Sequence, residues 1–346
     1  MKAMLLKGPG QPFALETVPD PEPGPGEAVA RVYACGSGLT IQHVRAGRTP
    51  VDYPRIIGHE FAGEIVALGA GVTDLAIGTP VTSYFYLTCG SCRWCRVNRE
   101  TLCENFRGYV GREIDGAYAE YIKLPVENFI PLPAALDHRT HAAEVGVITD
   151  AIATPYKVVR RAGITAMDTV AVFGAGGGIG IHMLMLAKWA HARVIAVDIV
   201  ADKFDACRNA GADDVVDAST ANVVEALLEL TGGAGVDVAI DFVSSRETLE
   251  NSVHSLGKGG RMVTLGGGNA DKMFELSAGE LLTKELQVMG SRYVTKQEVA
   301  ESLDLVARGQ LWPLVTEVAA LEEAEAVHAR VEQGLVTGRA ALKIAE

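Results

Sequence analysis

A glycine-rich turn between two apolar strands constrains the fold of this chain more than any other feature. The first strand is Thr169-Val-Ala-Val-Phe173, and an apolar helical run follows the turn. Backbone N–H groups at such a turn and at the start of the next helix face an anion such as a phosphate. The second strand begins at Arg193 and ends in an acid 18 residues after the last glycine, where a dinucleotide-binding fold places the carboxylate that binds the ribose 2′-hydroxyl. The pattern therefore predicts nucleotide contacts at Gly174, Gly176, Gly177, Gly178, Ile179, Gly180 and Asp198.

The alternation of strands and helices continues beyond this turn. Strand patterns at 236–242 and 261–265, with helices before and between them, predict a doubly wound parallel sheet. Upstream, from 28 to 133, the patterns are short, alternating and bounded by glycine and proline, which favours a mostly antiparallel, barrel-like domain. A chain of 346 residues has room for about two such domains.

Charge and apolar patterning exclude several classes of partner. The formal net charge is −12, which argues against a nucleic-acid surface and against an anionic membrane. The stretch 169–187 has no charged residue, but its glycine cluster suits a turn better than a membrane span. The N-terminus lacks the apolar core of a signal peptide, so we expect a cytoplasmic protein with reduced cysteines.

Four of the six cysteines are crowded into one short segment. They lie at spacings of two, two and seven residues, and four thiolates so placed can surround one tetrahedral zinc ion. A closed site of this kind leaves no position for substrate, so its role would be structural. An iron–sulfur cluster and a set of unrelated buried cysteines are the alternatives, and the first is disfavoured by the long spacing and the absence of Cys-Pro. The predicted ligands are Cys89, Cys92, Cys95 and Cys103.

A second group of possible metal ligands is spread along the chain. His59 and Glu60 form an adjacent pair, which by itself is more often structural, although a neutral imidazole binds zinc well. Cys35 ends an apolar strand 24 residues earlier and either reaches the same ion or is a small buried hydrophobe. Asp150 lies in an apolar stretch, where it must be paired, bound to metal or used as a helix N-cap before Ala151.

Together these residues resemble the zinc-containing alcohol dehydrogenases of the medium-chain dehydrogenase/reductase superfamily over essentially the whole chain. The similarity rests on Gly58-His59-Glu60-x2-Gly63-x5-Gly69-x2-Val72, on the cysteine segment and on the glycine turn with its terminal acid. The resemblance implies a discontinuous, GroES-like catalytic domain, 1–150 plus 288–346. Between its two parts it implies a Rossmann domain, 151–287.

The resemblance also implies roles for individual positions. Cys35, His59 and Asp150 look like ligands of a catalytic zinc, with Glu60 alongside. A second, structural zinc belongs to the cysteine segment, so two zinc ions per chain and NAD are expected. The other implied contacts are Thr154 with the nicotinamide, Lys203 with the adenosine ribose, Arg339 with the pyrophosphate and Phe85 with the substrate.

Three departures from the family pattern stand out. The usual Cys-x-Ser/Thr-Asp reads Cys35-Gly36-Ser37-Gly38 here, so the aspartate that supports the zinc histidine is missing. The relay histidine of the family is replaced by Thr40, with His43 the nearest imidazole in sequence. The turn fits Gly-x-x-Gly-x-x-Gly better than Gly-x-Gly-x-x-Gly.

The resulting hypothesis is hydride transfer between NAD and an alcohol/ketone or aldehyde pair, with zinc polarising the substrate oxygen. Ser37 is expected to take the hydroxyl proton and to pass it outward through the cofactor ribose to Thr40, His43 or water, unless it is only a turn residue. NAD is preferred over NADP because Asp198 would repel a 2′-phosphate.

Two alternatives from other classes remain open at this point. One is a lyase or hydratase on the same fold, and the other is a non-catalytic, nucleotide-binding regulatory protein. A zinc-free quinone reductase is disfavoured by the cysteines and His59. We expect a small-molecule substrate, no nucleic-acid or membrane partner, and a homodimer or homotetramer.

Overall fold

The computed structural model describes residues 1–266 and 273–345, and within them sixteen strands and ten α-helices. The strands are β1 (Lys2–Leu6), β2 (Ala14–Thr17), β3 (Glu27–Ser37), β4 (Arg55–Ile56), β5 (Phe61–Leu68), β6 (Pro80–Ser83), β7 (Tyr121–Pro125), β8 (Phe129–Pro131), β9 (Thr169–Phe173), β10 (Arg193–Asp198), β11 (Asp214–Asp217), β12 (Val236–Asp241), β13 (Leu256–Thr264), β14 (Gln287–Gly290), β15 (Val315–Ala320) and β16 (Arg339–Lys343). The helices are α1 (Leu39–Arg45), α2 (Ala142–Val147), α3 (Ala153–Ala162), α4 (Gly180–Trp189), α5 (Phe204–Asn209), α6 (Val223–Leu230), α7 (Arg246–His254), α8 (Ala278–Thr283), α9 (Lys296–Ala307) and α10 (Ala324–Glu332).

The chain divides into two compact units. One comprises residues 1–151 with 294–346, and the other comprises residues 152–293. The expected second boundary, at 288, falls inside β14, which pairs in parallel with β13. The chain changes unit only after this strand, because β14 completes the parallel sheet.

Residues 152–293 form the doubly wound unit. Its six strands are all parallel and follow the order β11-β10-β9-β12-β13-β14. Numbered within the unit, this is 3-2-1-4-5-6, the order of a Rossmann fold. Crossover helices cover both faces of such a sheet, so its inner strands are apolar along their length. One core cluster contains Ala171, Phe173, Ile195, Val197, Val216, Leu227, Ala239, Val253 and Met262.

The uncharged stretch 169–187 is a strand, a turn and part of a helix, as its glycine cluster indicated. Within the described ranges, no helix combines the length and the apolar composition needed to cross a membrane.

The other unit is mostly β. A three-stranded sheet has the order β2-β1-β4, and a larger sheet has the order β15-β16-β3-β5-β6-β8, with β7 also paired to β3. The barrel-like expectation is met only in part, because the described strands form open sheets and no closed barrel. The pairings other than β15 with β16 are antiparallel, as the short alternating patterns predicted.

The long strand β3 gathers the functional residues of this unit. Its last residues pair with β5 on one side and with β16 on the other, so Cys35 lies opposite Phe61 and Ser37 lies opposite Ala340. His59 and Glu60 immediately precede β5, and Arg339 begins β16. Residues far apart in sequence therefore meet where three strands begin or end.

Candidate functional site

Three of the predicted ligands come together in the mostly β unit. One ligand atom from each of His59, Glu60 and Asp150 lies within 4.8 Å of the other two. His59 and Glu60 are supplied by the chain entering β5, and Asp150 by a π-helical turn, Ile148–Ile152. The N-cap of α3 is Ile152, which excludes the alternative that Asp150 caps this helix.

The surroundings of Glu60 test whether a metal fits. Its side chain is fully buried, and among the described residues neither carboxylate oxygen accepts a hydrogen bond. Burial raises the pKa of Glu60 to about 8. The Arg339 guanidinium is 3.1 Å from one of these oxygens but is shared with Asp150, so a divalent cation would balance the second buried negative charge. The group therefore fits zinc, which accepts nitrogen and oxygen ligands together.

His59 is held in the form that binds metal. Its ring stacks on Phe85 with a centroid distance of 3.8 Å and an interplanar angle of 23°. Burial lowers the pKa of His59 to about 4, so the imidazole is neutral at neutral pH and keeps a lone pair for a ligand bond. Phe85, predicted to line the substrate pocket, is thus in contact with a residue of the metal group.

Cys35 stands outside the three-residue group. Its side chain is fully buried at the end of β3, and its Sγ lies 3.6 Å from the carbonyl oxygen of Gly36. Burial, followed by the charge of Glu60, raises the pKa of the Cys35 thiol well above its usual value. A thiolate here requires a cation, so the role of Cys35 as a zinc ligand stays a prediction.

Arg339 lies against the carboxylates of the group. One guanidinium nitrogen is 2.5 Å from Asp150 and 3.1 Å from Glu60, and the side chain is 4% exposed. Gly38 leaves the space that this guanidinium needs, because a Cβ built at Gly38 would lie 2.1 Å from Arg339 Nη1. The glycine that replaces the family aspartate is therefore matched to this arginine. Binding of the pyrophosphate by Arg339 stays a prediction.

The expected proton relay is arranged differently from the sequence pattern. Ser37 is buried, and its described hydrogen bond joins the hydroxyl of Tyr118 at 2.5 Å rather than Thr40 or His43. Thr40 is exposed, and His43 accepts a hydrogen bond from Arg48. Sequence reasoning therefore missed Tyr118 as the neighbour of Ser37.

A further missed residue is His328, which hydrogen-bonds Tyr118 and Gln42. It lies on the buried face of α10 together with Ala324 and Val327. A histidine in an otherwise apolar helix face needs polar partners. Its position on that face is the one feature of the sequence that could have pointed to His328.

The four clustered cysteines form a compact thiol group. Their Sγ atoms lie within 4.8 Å of one another, with separations of 3.5, 3.5 and 4.0 Å in three of the pairs. Four sulfurs about 2.3 Å from one tetrahedral zinc would be about 3.8 Å apart. Backbone N–H groups of Ser91 and Cys92 lower the pKa of the Cys89 thiol to about 5, which favours the thiolate. The segment therefore fits a structural zinc.

The glycine turn of the parallel unit is shaped for a phosphate. Gly174 has φ +73, a left-handed conformation, and a Cβ at Gly180 would lie 2.1 Å from the carbonyl oxygen of Gly174. The helix α4 begins at Gly180 directly after the turn. The backbone at Gly180 thus packs closely against the backbone at Gly174, as a dinucleotide-binding fold requires. The turn therefore fits a pyrophosphate.

The predicted ribose contacts lie beside this turn. Asp198 ends β10, and its carboxylate accepts hydrogen bonds from the N–H groups of Gly176 at 2.7 Å and Val200 at 3.0 Å. Lys203 is buried and close, because a Cβ at Gly176 would meet its side chain at 2.7 Å. Thr154 is buried near the start of α3. Asp198 and Lys203 thus lie beside the turn, and the contacts of all three residues with a cofactor stay predictions.

Comparisons with known proteins agree with this architecture. Residues 24–134 match the alcohol dehydrogenase GroES-like domain, and residues 178–308 match the zinc-binding dehydrogenase domain. The chain is 32% identical to an NAD-dependent alcohol dehydrogenase of Sulfurisphaera tokodaii, over 99% of both chains. It is also 32% identical to an acryloyl-coenzyme A reductase of Metallosphaera sedula, over 93% of this chain and 94% of the other. The alcohol dehydrogenase structure from Aeropyrum pernix has a TM-score of 0.90 at 31% identity, covering 99% of this chain and 100% of the other.

The chain belongs to the zinc-containing alcohol dehydrogenase family of the medium-chain dehydrogenase/reductase superfamily. This confirms the predicted family, the Rossmann and GroES-like folds and the class of zinc-dependent oxidoreductases. No observation favours a lyase or a regulatory protein.

Proposed function

We propose that this enzyme transfers a hydride between NAD and a small alcohol/carbonyl pair at the zinc group of its mostly β unit. One observation carries the proposal: a neutral His59, the buried Glu60 and Asp150 bring three ligand atoms within 4.8 Å of one another. A buried set of nitrogen and oxygen donors completed by a divalent ion suits activation of a substrate oxygen. The name of the NAD-dependent relative from Sulfurisphaera tokodaii supports the same reaction.

Zinc, when bound, supplies a Lewis acid for the substrate oxygen, and NAD supplies the hydride acceptor. His59, Asp150 and Cys35 would hold the ion, with Glu60 in reach of it. The face of Phe85 that lies against His59 gives the site an apolar wall. Ser37 accepts a hydrogen bond from the substrate hydroxyl, since it is a buried hydroxyl at the end of β3, two residues after Cys35.

Asp198 makes NAD the cofactor rather than NADP. Its carboxylate ends β10 beside the glycine turn, and the following Ile199 and Val200 offer no cation to a 2′-phosphate. Lys203 is near Asp198 but buried, and burial lowers its pKa. The carboxylate therefore accepts hydrogen bonds from ribose hydroxyls and repels the additional phosphate.

A substrate panel tests the proposal. Primary, secondary, cyclic and aromatic alcohols are assayed with NAD, and acryloyl-coenzyme A is assayed with NADH, while zinc content is measured in parallel. The expected result is cofactor reduction with at least one alcohol and about two zinc ions per chain. About one zinc per chain would refute the catalytic metal site. Turnover only of acryloyl-coenzyme A would replace the alcohol by an activated alkene, whereas turnover without net change of cofactor would indicate a lyase.

The enzyme is further proposed to be a cytoplasmic homodimer or homotetramer. Strand β14 forms one edge of the parallel sheet, and Val288 on it is 40% exposed. Helix α8, which precedes it in the chain, contains no buried residue, and Leu282 is 77% exposed. An apolar sheet edge with exposed leucine is suited to cover by a second copy. Light scattering coupled to gel filtration distinguishes a monomer, which would contradict this proposal, from either oligomer.

A further inference from the structure

A continuous chain of hydrogen bonds begins at Ser37 and ends at the protein surface. The hydroxyl of Ser37 is 2.5 Å from that of Tyr118, which is 2.8 Å from Nε2 of His328. Nδ1 of His328 is 2.7 Å from the amide oxygen of Gln42. The Gln42 amide nitrogen donates to the Glu332 carboxylate at 2.8 Å. Four side chains from β3, the segment before β7, α10 and α1 are thereby linked to an acid.

The two ends of this chain differ in environment. Ser37, Tyr118, His328 and Gln42 are each at most 2% exposed, whereas Glu332 is 40% exposed. Arg48 donates two hydrogen bonds of 2.7 Å to Glu332, one to each oxygen. These bonds lower the pKa of Glu332 to about 2, so its carboxylate is ionised at neutral pH. A fixed anion therefore terminates the outer end.

That anion determines the direction of every hydrogen bond behind it. An ionised carboxylate only accepts, so the Gln42 amide nitrogen must face Glu332 and the amide oxygen must face His328. Nδ1 of His328 then carries the proton, and Nε2 is left as an acceptor. Burial lowers the pKa of His328 to about 3, which keeps the imidazole in this singly protonated form.

Tyr118 and Ser37 continue the same series of hydrogen bonds. Tyr118 donates its proton to Nε2 of His328, because an unprotonated Nε2 can only accept, whereas the Ser37 hydroxyl can also donate and the carbonyl oxygen of Gly36 is 3.5 Å away. The hydroxyl oxygen of Tyr118 is then free to accept from Ser37. All four donors point away from Ser37 and toward Glu332.

We propose that Tyr118, His328 and Gln42 are positioning residues that hold the hydroxyl proton of Ser37 on the Tyr118 side. Ser37 then meets a substrate hydroxyl as a hydrogen-bond acceptor, with its lone pairs oriented before the substrate arrives. This inference rests on the proposed function, in which Ser37 accepts a hydrogen bond from the substrate hydroxyl. It gives three side chains outside the metal group a positioning role at Ser37, which differs from the role of proton acceptor predicted for Thr40 and His43.

The proton positions can be observed directly. Neutron diffraction from crystals of the zinc-loaded enzyme at neutral pH, exchanged into heavy water, locates deuterium on the ring of His328. The expected map has deuterium on Nδ1 and none on Nε2, with the Tyr118 deuteron directed at Nε2. Deuterium on Nε2 would overturn the proposal, because Tyr118 would then accept from His328 and could donate to Ser37. This measurement does not depend on turnover.

Kinetics of matched variants test the consequence for catalysis. Gln42→Leu and Tyr118→Phe should each lower kcat for the best alcohol by about tenfold, the factor for one hydrogen bond of about 1.4 kcal/mol, with KM for NAD unchanged. The double variant Gln42→Glu/Glu332→Gln exchanges carboxylate and amide, so position 42 still accepts from His328 and kcat should recover. Equal losses in Gln42→Leu and the double variant would overturn the proposal.

Tyr84→Phe is the control for Tyr118→Phe. Tyr84 is also fully buried, and its hydroxyl donates to the carbonyl oxygen of Val294 at 2.9 Å, outside the chain described above. Its loss should leave kcat unchanged, and an equal loss in both tyrosine variants would refute a specific role for Tyr118. Absence of turnover in the unmodified enzyme with every alcohol would refute the proposed function, while the neutron map would still decide the proton on His328.

Discussion

Substitution of Gly38 by alanine probes the fit between this glycine and Arg339. Gly38 has φ −128 and ψ 176, an extended conformation that alanine adopts without strain. The added Cβ, however, would lie 2.1 Å from Nη1 and 2.9 Å from Cζ of Arg339. The guanidinium would have to move, and its contacts with Glu60 and Asp150 would move with it.

The expected loss of stability is about 2–4 kcal/mol. Overpacking of a buried site costs about 1–3 kcal/mol. Displacing one partner of a buried ion pair costs up to about 3–5 kcal/mol when the contact is lost completely. The gain from a stiffer unfolded chain offsets only about 0.4–1 kcal/mol of this. Because Arg339 can move partly and so relieve the clash, the net loss of stability should lie between the cost of overpacking and the cost of a fully broken ion pair.

Urea denaturation of Gly38→Ala, Arg339→Met and the double variant measures this effect, with zinc content determined for each. If Arg339 is the cause, Gly38→Ala should cost almost nothing once Arg339 is methionine, giving a coupling of about 2–4 kcal/mol. Gly279→Ala is the control, because its Cβ would meet no atom closer than 3.5 Å. The same cost for Gly38→Ala in both backgrounds would refute the steric reasoning.

Three further predictions concern other parts of the molecule. The pKa of His328 is about 3 in the folded protein and 6.5 in an unfolded chain, so between these values only the unfolded chain binds a proton there. The free energy of unfolding should therefore fall by about 1.4 kcal/mol per pH unit through this residue as pH falls from 6.5 toward 3. In urea titrations over this pH range, the free energy of unfolding of His328→Leu should fall less steeply with pH than that of the unmodified protein. Equal slopes would contradict the low pKa of His328. Cys103→Ser should lower the zinc content from about two to about one ion per chain by atomic emission, whereas Cys207→Ser should leave it unchanged. Asp198→Gly should lower the ratio of kcat/KM for NAD to that for NADP by about tenfold or more, and an unchanged ratio would rule out its role at the ribose.

Local spacing explains why some features could be predicted from sequence. The turn at Gly174–Gly180 and the acid at Asp198 belong to one strand-helix-strand unit, whose geometry is set by short-range rules. The cysteines between Cys89 and Cys103 likewise converge within a single segment. In both cases the chain between the residues is too short to place them elsewhere.

The remaining features depend on strand pairing over long distances. Nothing in the sequence beside Ser37 indicates Tyr118 or His328, because their meeting requires β3, β7 and α10 to be assembled. The apolar stretch around Asp150 did show that this carboxylate needs a partner, but not that Arg339 is one. The open edges of the sheets, and the extension of the parallel sheet by β14, are also decided by pairing rather than by local pattern.

The π-helical turn that carries Asp150 has a consequence for how the enzyme could have arisen. Each residue rotates an α-helix by about 100°, so one residue added or removed there would turn Asp150 away from His59 and Glu60. The same turn holds the boundary between the two units, after Ala151. A residue added or removed ahead of Asp150 in this turn would therefore take its carboxylate out of the candidate metal group, so an exchange of nucleotide units is tolerable only where the joint falls after Asp150.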